Sequence, residues 1–293
     1  MTRTGWILFA LMGVIWGLPY LMIKVAVGGV SVPVLVFART AIGALLLLPL
    51  ALRRVDWVAL KRHWKPIVLF GALEIVGPWW LLSDAERDLS SSMTGLLIAS
   101  VPIIGAVLAS TTGERLGPKQ WTGLAAGFAG VAVLAAPNLT GGDAWSIIEV
   151  LLTALCYALA PMIADRKLRE IPSLVVTAVC LTGAALVYLV PAILSWPQRM
   201  PSAEVLLSLG GLGVICTAVA LVLFFKLIHE VGPSRALVIT YVNPVVAIAA
   251  GVLLLSEPLT TTTLVAFVLI LAGCVLATTR TAERVSVVDK VVK

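Results

Sequence analysis

Charge is scarce in this chain. Charged residues make up 12% of its 293 residues and hydrophobic ones 60%, where a soluble domain carries about a quarter charged residues. With a mean hydropathy of +1.06, so much apolar surface cannot be hidden in one aqueous core, and lipid is the solvent for most of it. Histidine is nearly missing: His63 and His229 both lie near loops. The four cysteines (Cys156, Cys180, Cys216, Cys274) fall inside apolar runs, in no CxxC or Cys/His cluster. That argues against a disulfide framework and a metal site, and no cofactor is expected. There is no GxSxG, no pair of intramembrane aspartates and no Walker A loop. No nucleophile–base pair suggests an intramembrane enzyme, and no phosphate-binding loop offers a site for ATP. A channel would want rings of polar residues or a filter loop, and neither is evident. The net charge of +6 invites a nucleic-acid reading, but the basic residues sit in loops between apolar runs, where they act as topology signals. No small-residue cleavage site follows the first apolar run, which is read as a retained helix.

What the chain does contain is a repeat. Residues 91–137 and 233–279 share one plan: an apolar run, a short turn with Glu-x-Leu or Glu-Pro-Leu, and a second apolar run. Pro102 and Pro244 are 142 residues apart, as are Pro19 and Pro161, Lys24 and Arg166, and Pro49 and Pro191. A repeat on this scale is a feature of duplicated transporters. The division it implies is an N-terminal repeat over 1–137, a linker over 138–144, a C-terminal repeat over 145–280 and a polar tail over 281–293.

About 20 mostly apolar residues cross a bilayer as a helix. Ten stretches fit: 5–27, 33–52, 66–84, 91–110, 119–136, 145–164, 172–195, 204–227, 233–255 and 260–279. Five per half is odd, so the second half must sit upside down relative to the first. With the N-terminus inside, 17 of the 21 Lys and Arg fall on the cytoplasmic side and only Arg87 and Arg199 outside. That asymmetry predicts cytoplasmic termini.

Within the spans, Glu74 is the leading candidate. A carboxylate near the bilayer midplane is costly unless it faces a cavity or a partner, so it is read as a proton- or cation-binding group. Pro78 kinks the same span. Trp79 and Trp80 follow, either lining an outer vestibule or joining an interfacial aromatic belt. Trp16, Tyr20 and Lys24 recur every four residues and share a helix face. Trp16 and Tyr20 read as a cavity wall, and Lys24 as a side chain snorkelling outward. Arg39, about six residues into the second span, snorkels or pairs with a helix end. Pro102 and Pro244 sit mid-span, where a freed carbonyl offers a polar spot to substrate. Tyr157, Tyr241 and Asn243 are further contact candidates. Glu114 and Glu257 precede spans five and ten, where helix N-termini favour acidic side chains. Gly123-x-x-x-Gly127 reads as close packing inside the protein, and a monomer is expected rather than a dimer.

Trp16-Gly17 with Lys24, Arg39, Pro102, Glu114-x-Leu116, Gln120, Gly123, Gly127 and Gly130, then Asn243-Pro244, Glu257-Pro258-Leu259 and Gly273, together resemble the EamA-type transporters of the drug/metabolite transporter superfamily. The resemblance covers nearly the whole chain. It departs at Ala158 and Met162, where the family often has an aromatic residue, although Tyr157 is adjacent. It implies an all-α membrane protein of two inverted five-helix repeats around a central cavity lined by spans 1, 3, 4, 6, 8 and 9. Its usual activity is export of small metabolites. The expected substrate is an amino acid, aromatic ones included, ahead of a cationic drug. The mechanism is alternating access in the cytoplasmic membrane, either proton-coupled through Glu74 or down a gradient.

Overall fold

The computed structural model describes residues 2–111, 116–141, 143–231 and 236–278. Among them every regular element is helical. In lipid this is what backbone hydrogen bonding demands, because a helix satisfies its own N–H and C=O groups. Eight stretches are long and apolar enough to cross a membrane: α1 Arg3–Val27, α2 Val32–Leu52, α3 Trp64–Asp88, α4 Ser91–Thr111, α6 Ala144–Lys167, α7 Ser173–Leu194, α8 Ala203–Val231 and α10 Thr261–Thr278. Between them lie α5, Pro118–Gly141, and the shorter α9, Ile239–Leu255. A six-residue surface helix, Trp57–Arg62, is capped by the Asp56 carboxylate, which accepts from the backbone N–H of Val58 and Ala59. Glu114 and the tail 281–293 lie outside the described residues.

The irregular points recur 142 residues apart. α3 contains a π-helical stretch at Ala72–Val76 and α8 one at Val214–Val219. α4 breaks at 99–100, before Val101-Pro102, and α9 has a 3-10 turn, Leu237–Tyr241, before Asn243-Pro244. Pro102 and Pro244 therefore begin helical segments, where the missing N–H costs nothing, rather than sitting mid-helix as their spacing predicts. Pro19 does the same in α1, after a bend at Leu18. Pro49, Pro161 and Pro191 remain within helices.

Packing joins the two halves. α5 lies along α10, α2 along α7, α3 along α6, α8 along α1, and α4 along α9. Glycines set the closest approach. A Cβ on Gly123 would stand 2.5 Å from the Ala277 nitrogen, and one on Gly130 2.8 Å from the Ile270 side chain. As the α5 number rises the α10 number falls, so the two run antiparallel. α2 and α7 do likewise, with Ser31 bonded to the Ser195 carbonyl at 3.2 Å and Gly43 beside Leu181.

Candidate functional site

The π stretch of α3 is the local irregularity that shapes the centre. A wider turn leaves carbonyls without their usual partners. Tyr188 of α7 donates its hydroxyl to the Val76 carbonyl, the last of that stretch, at 2.7 Å. In α8 the Thr217 hydroxyl donates to the Leu212 carbonyl at 2.8 Å. That leaves the Thr217 oxygen open to a second donor, and Arg39 of α2 supplies it: Nε donates to Thr217 Oγ1 at 3.2 Å. The guanidinium carbon sits 3.6 Å from the centre of the Trp79 ring. Arg39 is only 7% exposed, and no carboxylate lies within ion-pairing distance of it among the described residues. Stacking on an aromatic face is how a desolvated guanidinium is tolerated without a counter-ion, contributing about 2 kcal/mol.

Around this pair stand Tyr20 of α1 and Tyr157 of α6. Tyr157 lies in the electrostatic field of both Glu74 and Arg39 and beside Trp79. Tyr20 feels Tyr157, Glu86 and Arg39, and fits because Gly95 of α4 has no side chain; a Cβ there would be 3.2 Å from the Tyr20 ring. Glu74 is half-buried, with no hydrogen bond or ion pair among the described residues. Of the residues singled out from sequence, Tyr20, Trp79 and Tyr157 thus gather near Arg39, and Glu74 lies within electrostatic reach of Tyr157.

The other candidates lie elsewhere. Trp16 packs on Phe224 of α8, ring centres 4.6 Å apart. Trp80 stacks on Tyr188 of α7 at 5.8 Å, so the two adjacent tryptophans point to different neighbours. The Tyr241 hydroxyl is engaged with Thr278 Oγ1 at 2.6 Å and with the Cys274 carbonyl. Pro102 follows the α4 break, where the Ser100 hydroxyl is buried and unpartnered; Asn243-Pro244 follow the α9 break, where Asn243 Oδ1 is likewise unpartnered among the described residues. Both breaks thus present an unsatisfied oxygen.

Two residues behave differently from their sequence reading. Lys24 does not snorkel outward: Nζ donates to the carbonyls of Glu86 at 2.7 Å, Arg87 at 3.3 Å and Leu89 at 2.8 Å, closing the end of α3. Those carbonyls lack helical partners, and a cation there is favoured by the dipole. Glu257 serves a helix N-terminus, but that of α4 rather than α10. Its carboxylate accepts from Ser91 N at 2.8 Å, Ser91 Oγ at 2.9 Å, Ser92 N at 3.0 Å and Ser92 Oγ. Ser256, in the left-handed region at φ 55°, turns the chain toward this contact.

Glu86 has no counterpart in the sequence reading, which ended its span at residue 84. It is 0% exposed, and neither carboxylate oxygen has a partner among the described residues. A signal existed. Trp79, Ser83 and Glu86 recur at three- and four-residue steps, which places Glu86 on the buried face of α3. Among the described residues no three His, Cys, Asp or Glu side chains gather as a metal site would require.

A bundle of membrane-length apolar helices around a polar, aromatic-lined centre defines an integral membrane protein of the transporter class. The EamA-like transporter family model matches the chain twice, over residues 3–136 and 144–279, and the chain belongs to that family. Among curated proteins it is similar to the uncharacterized inner membrane transporter YedA of Escherichia coli (strain K12), 26% identical over 92% of this chain and 89% of that protein. It is also similar to the uncharacterized transporter YvbV of Bacillus subtilis (strain 168), 28% identical over 95% and 92%. A crystal structure with 20% sequence identity superposes with a TM-score of 0.67, covering 95% of this chain and 98% of that one, which establishes likeness of fold alone.

Proposed function

We propose that this protein is a secondary transporter that exports small zwitterionic metabolites, amino acids with aromatic side chains among them, by alternating access. The observation that carries the substrate reading is Arg39. A buried guanidinium with no carboxylate partner, on a tryptophan face, is a receptor for an anionic group. Glu74, within electrostatic reach of Tyr157, offers a negative charge for an ammonium. Trp79, Tyr157 and Tyr20 supply flat apolar surface between the two.

Ten crossings in two inverted five-helix repeats, 1–137 and 145–280 joined through 138–144, account for the repeated irregularities and for mate helices (α5 with α10, α2 with α7) running antiparallel. The Lys/Arg asymmetry supports cytoplasmic termini in a bacterial cytoplasmic membrane. A monomer accounts for Gly123 and Gly127 being occupied against α10 and α4 of the same chain.

Export of cationic drugs is the second reading, favoured by the unpaired carboxylates of Glu74 and Glu86. Counterflow in proteoliposomes separates the two. The zwitterion reading expects labelled phenylalanine to exchange and Arg39→Gln to lower the rate at least about 100-fold, because one charged hydrogen-bonded pair is lost in a desolvated site. Exchange of tetraphenylphosphonium with no exchange of amino acids would replace it with the second. Glu74→Gln decides the coupling: unchanged uptake under a pH gradient would remove Glu74 from it.

A further inference from the structure

We propose that Lys24 and Arg166 are alternate positioning residues of the transport cycle, each tying its helix to the terminal carbonyls of a neighbouring helix, with one tie made at a time. The proposal rests on the alternating-access reading above.

Lys24 and Arg166 occupy the same place in the two repeats, 142 residues apart. Lys24 is tied, by the three bonds to the Glu86, Arg87 and Leu89 carbonyls. With that tie in place, the second segment of α1 packs on both α3 and α4. Residues 142 positions beyond those acceptors are Ile228, His229 and Val231, at the end of α8. The last carbonyls of a helix are acceptors without internal partners, whichever half carries them.

Arg166 is untied. It is exposed and has no hydrogen bond or ion pair among the described residues, while its neighbour Asp165 is taken by Arg169 at 2.6 Å. Among the described residues, α6 does not pack on α8 or α9 as α1 packs on α3 and α4. The C-terminal half of α6 instead stands between two clefts. One, about 470 Å³, separates it from Lys65 and Leu69 of α3. The other, about 350 Å³, separates it from Gly105 and Ala109 of α4. Arg166 borders both. The molecule thus has one end with its cation bonded, and an equivalent position whose cation is unbonded beside two open grooves. Exchanging the roles of the halves closes the clefts, carries Arg166 to the α8 carbonyls and releases Lys24 from α3.

The test uses the full chain in proteoliposomes, its four cysteines replaced and Thr94→Cys introduced. Thr94 is fully buried on α4 at the closed end, so a water-soluble maleimide reaches it only when that end opens. Lys24→Gln is expected to raise the labelling rate about tenfold, the effect of losing charge-assisted bonds to one state. Arg166→Gln is expected to lower it about tenfold, and Arg166→Lys to restore it, since a point charge suffices for carbonyls. Arg166 is exposed and unbonded, so its removal spares the fold while still shifting the balance. Labelling that responds to Lys24→Gln but not to Arg166→Gln overturns the exchange and leaves alternating access standing. A rate that no variant changes contradicts both.

Discussion

On the proposed inverted repeat, the two ends of the bundle are built from equivalent segments, and yet they differ. At the end where α1 finishes, Lys24 closes α3, and the Glu257 carboxylate accepts four hydrogen bonds from the α4 N-terminus. At the end where α6 finishes, Arg166 borders two clefts. The sequences of the two segments do not explain this, since both carry a cation at the same repeat position. What differs is that Lys24 is bonded to carbonyls while Arg166 has no such bond among the described residues. A nearly symmetric chain in an asymmetric shape has a second arrangement of similar energy available, and a ligand that favours it shifts the population.

The largest effect is expected where neither end can tolerate change, at the α5–α10 seam. Gly273→Leu would press a side chain into Gly127, whose backbone nitrogen lies 2.5 Å from the position of a new Cβ. Overpacking of this kind costs about 1–3 kcal/mol or more, and near-complete loss of monodisperse protein in size-exclusion chromatography is expected. Next comes Glu257→Ala, which strips four acceptor bonds and a favourable charge from the α4 N-terminus. A loss of about 2–4 kcal/mol is expected from charged bonds of this kind, read as a fall in thermal midpoint together with faster labelling of Thr94→Cys. Glu257→Gln, which keeps one acceptor oxygen, should fall in between. The smallest effect is expected at Trp80→Leu. It removes the stack on Tyr188 for about 0.5–1.5 kcal/mol and should leave amino-acid exchange within about threefold of the parent. A drop as large as that of Arg39→Gln would return Trp80 to the substrate path.

The helices themselves were legible because lipid imposes length and hydropathy on them, and the 142-residue offset was legible from prolines and one cation pair. The inner faces were harder to read. In a soluble helix the buried stripe is apolar against a polar background, but here lipid-facing Leu45 and Leu186 are as apolar as buried Leu35 and Leu181. Arg39 therefore looked like a side chain seeking the interface. Its inward turn depends on Thr217 and Trp79, one in the other half and one in the next span. Lys24 and Glu257 were misread for the same reason, because their partners lie 62 and 166 residues away. Tyr20 and Trp16 were read alike, as polar-tipped rings that need a partner inside a span, yet only Tyr20 stands near Arg39, while Trp16 packs on Phe224.

Paired distances test the account most directly. Spin labels at Val25 and Arg87 span the closed end, and labels at Lys167 and His229, each 142 residues further on, span the open one. Measured in nanodiscs by pulsed electron resonance, the two distances are predicted to be anticorrelated across conditions, the first short where the second is long and the reverse. Two distances that stay fixed, or that lengthen together, would contradict an exchange of roles between the halves.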